Sequence, residues 1–433
     1  MFRAGFARVD VTPPLGTILT GYFEPRISDG ILDPVELNAL AISNEEDTIL
    51  IITGDFMYTP ERAMTRYRQL ISEETGVPME HIFAQTIHQH TSTTPGPNGP
   101  TDSHYQYFLE RKFCDVARMA LADRSTAEIS VAQEETLEPI SFIRRFRMKD
   151  GSTQTNPGYG NPDVEAPIGE ADNTVRLVKF ERKGAKDIAL VNFATHPDVI
   201  GGNKFSADWP GFVRRFTEAD IPGVNCMLVN GAQGDTNHIN IYAKSVNRGY
   251  EHSRHMGRVI TDTVISLWNR TKAIAPGKIT GEVVMKRTPA NMSGIERIEE
   301  CLEITRALDA GTYDKPLTMG DRGEIRRIVG MENATLIQKV PVSMVAFGSV
   351  ALIGYGGEPF TEYADIPRKA VPELFVLSAC LTNGAQGYLP SVSAFEEGGY
   401  ESRTTNFTAA VAPALQNTAI ELLREHAAKN SCE

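Results

Sequence analysis

Residues 48–90 read TILIITGDFMYTPERAMTRYRQLISEETGVPMEHIFAQTIHQH. The run TILIITGD (48–55) is apolar and rich in β-branched residues, which is typical of a buried strand. The stretch ERAMTRYRQLISEETG has helical periodicity and ends at Gly76, a residue type that commonly closes helices. HIFAQTIHQH (81–90) then has the composition of a second strand. This succession of strand, helix and strand predicts an α/β fold.

The same alternation continues along the rest of the chain. TVRLVKFERKG and KDIALVNFATH indicate a hairpin, and further strand and helix patterns follow at 104–123, 225–235, 248–270 and 408–428. A stretch rich in Gly, Pro and Asn, 149–172, is the longest loop-like segment. No low-complexity linker divides the chain, so we expect residues 1–433 to form one interwoven mixed-sheet catalytic unit, or two intimate lobes.

One pentapeptide occurs twice. Asn230-Gly-Ala-Gln-Gly234 recurs as Asn383-Gly-Ala-Gln-Gly387, each time after an apolar strand. The repeat indicates either two related half-units that face one cleft or a chance recurrence of a Gly-rich turn.

Composition restricts the class of partner. The 433 residues carry a net charge of −12, which argues against nucleic acids and anionic membranes, because both attract basic surfaces. No stretch reaches the roughly 18 apolar residues of a membrane span. The start, MFRAGFARVDVTPP, has charges and prolines where a secretion signal has its apolar run. The five scattered cysteines lack CxxC spacing. We therefore expect a cytoplasmic protein that acts on a small molecule.

Chemically capable side chains share one context, the end of an apolar run. Because the carboxyl ends of strands border the crevice of α/β folds, such residues are expected to lie close together. They are Asp55, His88, His90, His196, Asp235, Glu358 and Tyr388.

Two histidines and a glutamate in this set could hold a metal. On an extended strand His88 and His90 would point to the same side, and two adjacent imidazoles resist double protonation, which favours metal binding. His196 ends a buried strand, and Glu358 follows GYGG, whose glycines permit close approach. A carboxylate with two imidazoles would make a three-ligand zinc site. Hydrogen-bonded histidines and a helix-capping glutamate are the alternative interpretation.

Several motifs resemble the catalytic domain of the neutral, non-lysosomal ceramidase family. They are GFARVDVTPP (5–14) with Gly21, Tyr22 and Arg26, then TIHQHTSTTPGP, NFATHP, NGAQGDTNH and GGEPF, in this order along nearly the whole chain. The resemblance implies one Zn²⁺ per chain bound by His88, His196, Glu358 and Tyr388, with Tyr400 as a second choice for the tyrosine. It also places His90 beside the metal as an acid–base group or oxyanion donor.

Three departures from the family change the expected chemistry. The segment Gly234–His238 lacks the family's proposed nucleophilic serine, so attack by metal-bound water is expected, with His90 or Asp235 accepting the proton. We also expect this protein to lack the immunoglobulin-like C-terminal domain and the secretion signal that are usual in the family. We therefore expect hydrolysis of a small, soluble amide or ester rather than ceramide.

Further roles complete these expectations. Asp55 or Asp208 could orient a ligand histidine through its free ring nitrogen. Substrate contacts are expected from Tyr22, Arg26, Trp209 and His238. Two alternative functions are a metal-dependent enzyme that acts on a sugar derivative and a non-catalytic homologue that binds a small molecule.

Overall fold

The computed structural model describes residues 1–96, 101–332 and 334–431. Within these ranges the α-helices are Glu61–Thr75, Ser103–Ala122, Asp208–Asp220, Tyr250–Trp268, Ile298–Asp309, Met319–Gly330, Glu362–Ala370, Val392–Glu397, Tyr400–Thr404 and Val411–Ser431. Short 3-10 helices occur at Met79–His81 and Ile295–Arg297. In the described part of the chain, no helix combines the length and apolar character that a membrane span requires.

Two large sheets carry the fold. Across the first sheet, neighbouring strands are Val224–Asn230, Asp187–Phe193, Thr174–Arg182, Ser125–Glu135, Arg3–Asp10, Glu36–Ser43, Thr48–Gly54 and Ile82–Thr86, with Lys272–Ala273 paired to the fourth. The second sheet contains Ile279–Pro289, Ile337–Phe347, Val350–Tyr355 and Phe375–Ala379. Parallel and antiparallel pairs both occur, which confirms the predicted mixed-sheet α/β class.

Short strands form further small sheets. Arg145–Met148 pairs with Thr153–Thr155 and Val164–Pro167, so the predicted loop at 149–172 contains part of a small sheet. The remaining pairs are Ile18–Leu19 with Arg26–Ile27, Gly30–Ile31 with Lys204–Phe205, Phe142–Ile143 with Thr236–Asn237, and Glu358–Pro359 with Tyr388–Leu389.

One supersecondary unit occurs three times in the described ranges. Each copy has three successive antiparallel strands, a crossover helix and a fourth strand parallel to the third. Its third and fourth strands are Thr48–Gly54 and Ile82–Thr86 in the first copy, Asp187–Phe193 and Val224–Asn230 in the second, and Val350–Tyr355 and Phe375–Ala379 in the third. The two NGAQG segments follow equivalent fourth strands, so the architecture comprises three related units and not two.

The core lies between the two sheets and beneath flanking helices. Phe83 and Phe180 from the first sheet share a buried cluster with Phe347 and Leu352 from the second. Alternate residues of the first sheet pack against the helices on its opposite face, as Leu50 and Ile52 do, because successive strand side chains point to opposite faces. The layers are therefore helix, sheet, sheet and helix, with strand ends converging at one edge.

Candidate metal centre

His88 and His90 lie in a loop, not on a strand. The strand Ile82–Thr86 ends before them, and His88 has φ = 80°, a left-handed backbone that is uncommon for a non-glycine residue. The amides of His88 and Gln89 both donate to the carbonyl of Phe56, at 3.0 and 2.9 Å, and stabilise this turn. The prediction that strand alternation aligns the two imidazoles is wrong, but the rings still converge, with Nε2 atoms 3.3 Å apart.

His196 and Glu358 join the same cluster from the second and third units. His196 follows the third strand of its unit and Glu358 follows the equivalent strand of the next. Oε2 of Glu358 lies 3.2 Å from Nε2 of His88 and 3.2 Å from Nε2 of His196. The side-chain nitrogens of His88, His90 and His196 form a buried group of donors that lie within 4.8 Å of one another.

Backbone carbonyls orient the two histidines that are candidate ligands. Nδ1 of His88 donates to the carbonyl of Met57 at 2.9 Å. Nδ1 of His196 lies 2.8 Å from the carbonyl of Gln233 and 3.0 Å from that of Thr236. Because carbonyl oxygens only accept hydrogen bonds, the ring proton resides on Nδ1 and the Nε2 lone pair faces Glu358.

The aspartates expected to orient these histidines have other partners. Both oxygens of Asp55 accept hydrogen bonds from Arg214, at 2.9 and 2.6 Å, in a buried ion pair. Asp208 accepts hydrogen bonds from the amide of Val199 and from the hydroxyl of Ser253. The prediction that Asp55 or Asp208 orients a ligand is therefore wrong.

The donor geometry fits a bound cation. Among the described residues, Oε2 of Glu358 has no hydrogen-bond partner although it is buried. Unprotonated nitrogens that face a carboxylate oxygen repel it unless a cation lies between them. Ligands on a tetrahedral zinc with bonds of about 2.0–2.1 Å are separated by about 3.3 Å. The two separations of 3.2 Å that join Glu358 to His88 and to His196 match that spacing.

The protonation states are those that metal binding needs. Burial lowers the pKa of His196 to about 3, with a further contribution from the Arg144 cation. Burial and the neighbouring His88 also hold the pKa of His90 well below its usual range. Burial alone would raise the pKa of Glu358, but the imidazoles of His88 and His196 hold it well below the usual value. At neutral pH the cluster thus offers the neutral imidazoles of His90 and His196 together with a carboxylate.

Arg144 is a site residue that the sequence interpretation missed. Its side chain is buried, and two of its nitrogens have clear acceptors: Nε donates to Glu401 at 2.7 Å and Nη2 donates to the carbonyl of Gly234 at 2.8 Å. The third nitrogen, Nη1, lies 3.2 Å from Nε2 of His196. A cation at the centre competes with this guanidinium for the His196 lone pair. The available signal was the pair Arg144-Arg145 within SFIRRF, because arginines in an apolar segment need buried partners.

Both candidate tyrosines lie beside the cluster. The amide of Glu358 donates to the carbonyl of Gly387 at 2.9 Å, which places Tyr388 next to the carboxylate. The Tyr388 and Tyr400 rings are 5.6 Å apart, and the Arg144 guanidinium lies 5.1 Å from the Tyr388 ring. Burial raises the pKa of Tyr388 and raises that of Tyr400 to about 12. Ligation by Tyr388 stays a prediction.

Asp235 stabilises the segment that carries Glu358. Its Oδ1 accepts hydrogen bonds from the amide and the hydroxyl of Thr361, both at 2.9 Å. Burial raises the pKa of Asp235 to about 6. This contact positions the turn after Glu358, and proton transfer by Asp235 stays a prediction.

Tyr22 and Arg26 surround His90. The Tyr22 hydroxyl donates to Oδ1 of Asp198, an atom that lies 3.7 Å from Nδ1 of His90. Arg26 donates to the carbonyl of His90 and lies 4.0 Å over the Tyr22 ring. These contacts bring both predicted substrate-binding residues next to His90, and Tyr22 also lines the cleft.

The other two predicted substrate contacts are buried elsewhere. Trp209 has no exposed surface and packs against Phe193 with ring centroids 5.8 Å apart. His238 is 1% exposed, and its ring lies 5.9 Å from that of His252. Neither residue lines the cleft beside Glu358. Direct substrate contact by Trp209 is therefore a wrong prediction, because its ring is enclosed by protein. Contact by His238 stays a prediction, because both of its ring nitrogens lack a hydrogen-bond partner among the described residues.

A cleft of about 760 Å³ leads to the cluster. Segment 18–25 forms one wall and the helix Met319–Gly330 forms another, with Glu358, Tyr388 and Tyr400 also in the lining. This volume suits a small-molecule ligand.

Comparisons with known proteins agree with this architecture. The neutral ceramidase from Pseudomonas aeruginosa superposes with a TM-score of 0.71 at 14% sequence identity, over 98% of this chain and 75% of that chain. The chain has a ceramidase-like fold. A second structure, a ceramidase complexed with C2, matches with a TM-score of 0.74 at 13% identity, over the same shares of the two chains. No family model and no curated protein sequence matches. The family resemblance of the motifs is thus confirmed at the level of the ceramidase-like fold.

Proposed function

We propose that this chain is a hydrolase that uses one bound divalent cation, zinc by its donor set, to cleave a small, soluble amide or ester. One observation carries the proposal. Buried lone pairs of His88, His196 and Glu358, which come from three separate structural units, converge at 3.2 Å beside an open cleft. A structural hydrogen-bond network would place a proton in each gap, whereas these gaps suit a shared cation.

The residues that would hold the cation are His88, His196 and Glu358, with Tyr388 as a fourth ligand from the family resemblance. Two imidazoles and a carboxylate suit zinc and leave room for water. When bound, the cation lowers the pKa of a coordinated water toward about 7 and polarises the scissile carbonyl.

His90 is the proposed acid–base group. It faces the same centre through Nε2, 3.3 Å from Nε2 of His88. Burial lowers its pKa, so the ring is neutral at pH 7 and can accept a proton from the attacking water. The same nitrogen then returns this proton to the leaving amine or alcohol.

Direct attack by water follows from the residues at 234–238. Thr236 is the nearest hydroxyl residue to the position of the family's serine. Its hydroxyl is buried and donates to the carbonyl of Gln233 at 3.4 Å, so Thr236 is a poor substitute for a serine nucleophile. Arg144 supplies a fixed positive charge beside His196 and Tyr388 that would stabilise negative charge developing on the substrate. We further propose a cytoplasmic location and no nucleic-acid partner, in keeping with the net charge of −12.

The test compares metal-free, zinc-loaded and variant proteins on panels of N-acyl amides, 4-nitrophenyl esters and sugar derivatives. We expect hydrolysis of an amide or ester that chelation abolishes and Zn²⁺ restores, and that Glu358→Gln abolishes. Glu362→Gln is the matched control, because this exposed glutamate lies four residues beyond the site. Hydrolysis that is insensitive to chelation, or activity on sugar derivatives alone, would reject the proposal.

A further inference from the structure

A helical segment forms the wall of the cleft opposite residues 18–25. The helix Met319–Gly330 is held to the rest of the protein by Arg327, whose guanidinium donates to the carbonyls of Arg403, Asn291 and Ser293 at 2.9, 2.9 and 2.8 Å. With three carbonyl partners, Arg327 has a structural role in fixing this wall.

Two other arginines of the same helix contact residues 23 and 24 directly. Arg322 donates to Glu24 at 2.7 Å, so its charge is neutralised by a carboxylate. Arg326 is exposed, donates to the carbonyl of Phe23 at 3.2 Å and lies 4.5 Å over the Phe23 ring. Within the described ranges Arg326 has no carboxylate partner, although it lines the cleft.

In the described part of the chain, two arginines line the cleft without a carboxylate partner, and Arg326 is the one whose guanidinium is not held by three carbonyls as that of Arg327 is. The acidic residues that line the cleft are Glu24, which is paired with Arg322, and Glu358, which faces the ligand histidines. A free cation in the cleft of a protein with net charge −12 attracts anions locally, whereas the rest of the surface repels them. A guanidinium retains several N–H donors after one hydrogen bond and binds carboxylates with bidentate geometry.

We propose that Arg326 determines specificity by binding a carboxylate on the substrate, away from the scissile bond. The substrate class is then an amide or ester whose acyl part or leaving group carries a free carboxylate. A single free guanidinium matches one monoanion, whereas a phosphate dianion would need a second free cation. Phe23, Met331 and Ala334 line the same cleft and would contact an apolar spacer. This inference rests on the proposed hydrolase function.

Two esters with the same five-carbon acyl chain test the inference. One is 4-nitrophenyl hydrogen glutarate, which carries a terminal carboxylate, and the other is uncharged 4-nitrophenyl pentanoate. In Arg326→Gln we expect kcat/KM for the glutarate ester to fall roughly tenfold, mainly through KM, with the pentanoate ester unchanged. Arg326→Lys should recover part of the loss. Arg306→Gln is the control, because Arg306 is exposed on the neighbouring helix Ile298–Asp309 and does not line the cleft.

Failure of this inference and failure of the proposed function are distinguishable. Equal effects of Arg326→Gln on both esters, or no effect on either, would overturn the role of Arg326 while the hydrolase proposal stands. If the zinc-loaded protein hydrolyses neither ester, calorimetry with glutarate and uncharged glutaramide tests the anion site directly. Preferential glutarate binding that is lost in Arg326→Gln supports the site, and equal binding of both probes rejects it.

Discussion

Oε2 of Glu358 lies 3.2 Å from Nε2 of His196, and the other nitrogen of that imidazole is committed to backbone carbonyls. Two lone pairs therefore face each other in a buried space. A shared cation between them would stabilise this arrangement, in competition with Nη1 of Arg144, which lies 3.2 Å from the same nitrogen of His196. The predictions about the centre follow from that relationship.

Substitution of His90 tests whether this residue acts in catalysis or binds the metal ion as a ligand. Because the predicted ligands do not include it, His90→Ala should keep zinc affinity within about tenfold of the wild type while kcat falls about 10²- to 10⁴-fold. Calorimetric zinc titration and ester hydrolysis measure the two quantities. A loss of zinc affinity as large as that of His88→Ala would instead make His90 a ligand.

Glu401 should be a stability determinant of the Arg144 side of the site. It is fully buried and accepts hydrogen bonds from Arg144 at 2.7 Å and from Thr155 at 2.9 Å. Glu401→Gln leaves a buried guanidinium without its carboxylate, so the free energy of unfolding in urea should fall by about 3 kcal/mol. Glu397→Gln is the control, because Glu397 pairs with Arg145 but is partly exposed. Equal losses in the two variants would contradict this role.

His238 should make the protein sensitive to acid. Burial lowers its pKa to about 3, below the ordinary value of 6.5. Below pH 6.5 the His238 imidazole is protonated in the unfolded chain but stays neutral in the folded state. The free energy of unfolding therefore falls as the pH decreases from 6.5 toward 3. Between pH 7 and pH 5 this one group should remove about 2 kcal/mol.

The measurement is urea unfolding of metal-free protein at pH 7 and pH 5. In His238→Asn the loss of stability on acidification should be smaller by that amount, and His104→Asn controls for loss of an exposed imidazole. Burial raises the pKa of Asp208 and of Asp235 to about 6, so these two groups increase stability as the pH falls, opposite to His238. Their effect is the same in the wild type and in both variants. An unchanged pH dependence in His238→Asn would show that its imidazole is protonated in the folded state.

The convergence of the candidate ligands could be predicted from the sequence because each of them follows an apolar strand. His196 and Glu358 follow equivalent strands in two of the three repeated units, one in each of the two packed sheets, so the strand pattern places them at corresponding strand ends. The contribution of His88 depends on a left-handed backbone conformation, which the pattern of residues does not encode. Convergence was therefore predictable, whereas its local geometry was not.

Other features had no usable sequence signal. Backbone carbonyls orient the ligands, and any residue type supplies a carbonyl. The helix Met319–Gly330 includes Gly320, Gly323 and Gly330, which lower helix propensity and hide its pattern. Trp209 follows a loop in the sequence, yet tertiary packing buries it completely.

Metal content tests the central claim most directly. Purified wild-type protein, dialysed after zinc loading, should contain about one zinc ion per chain when measured by inductively coupled plasma mass spectrometry. His88→Ala and Glu358→Gln should retain almost none while keeping wild-type circular dichroism, and Glu362→Gln should retain the full amount. A wild-type protein that binds no divalent cation, or folded variants that keep one per chain, would contradict the account.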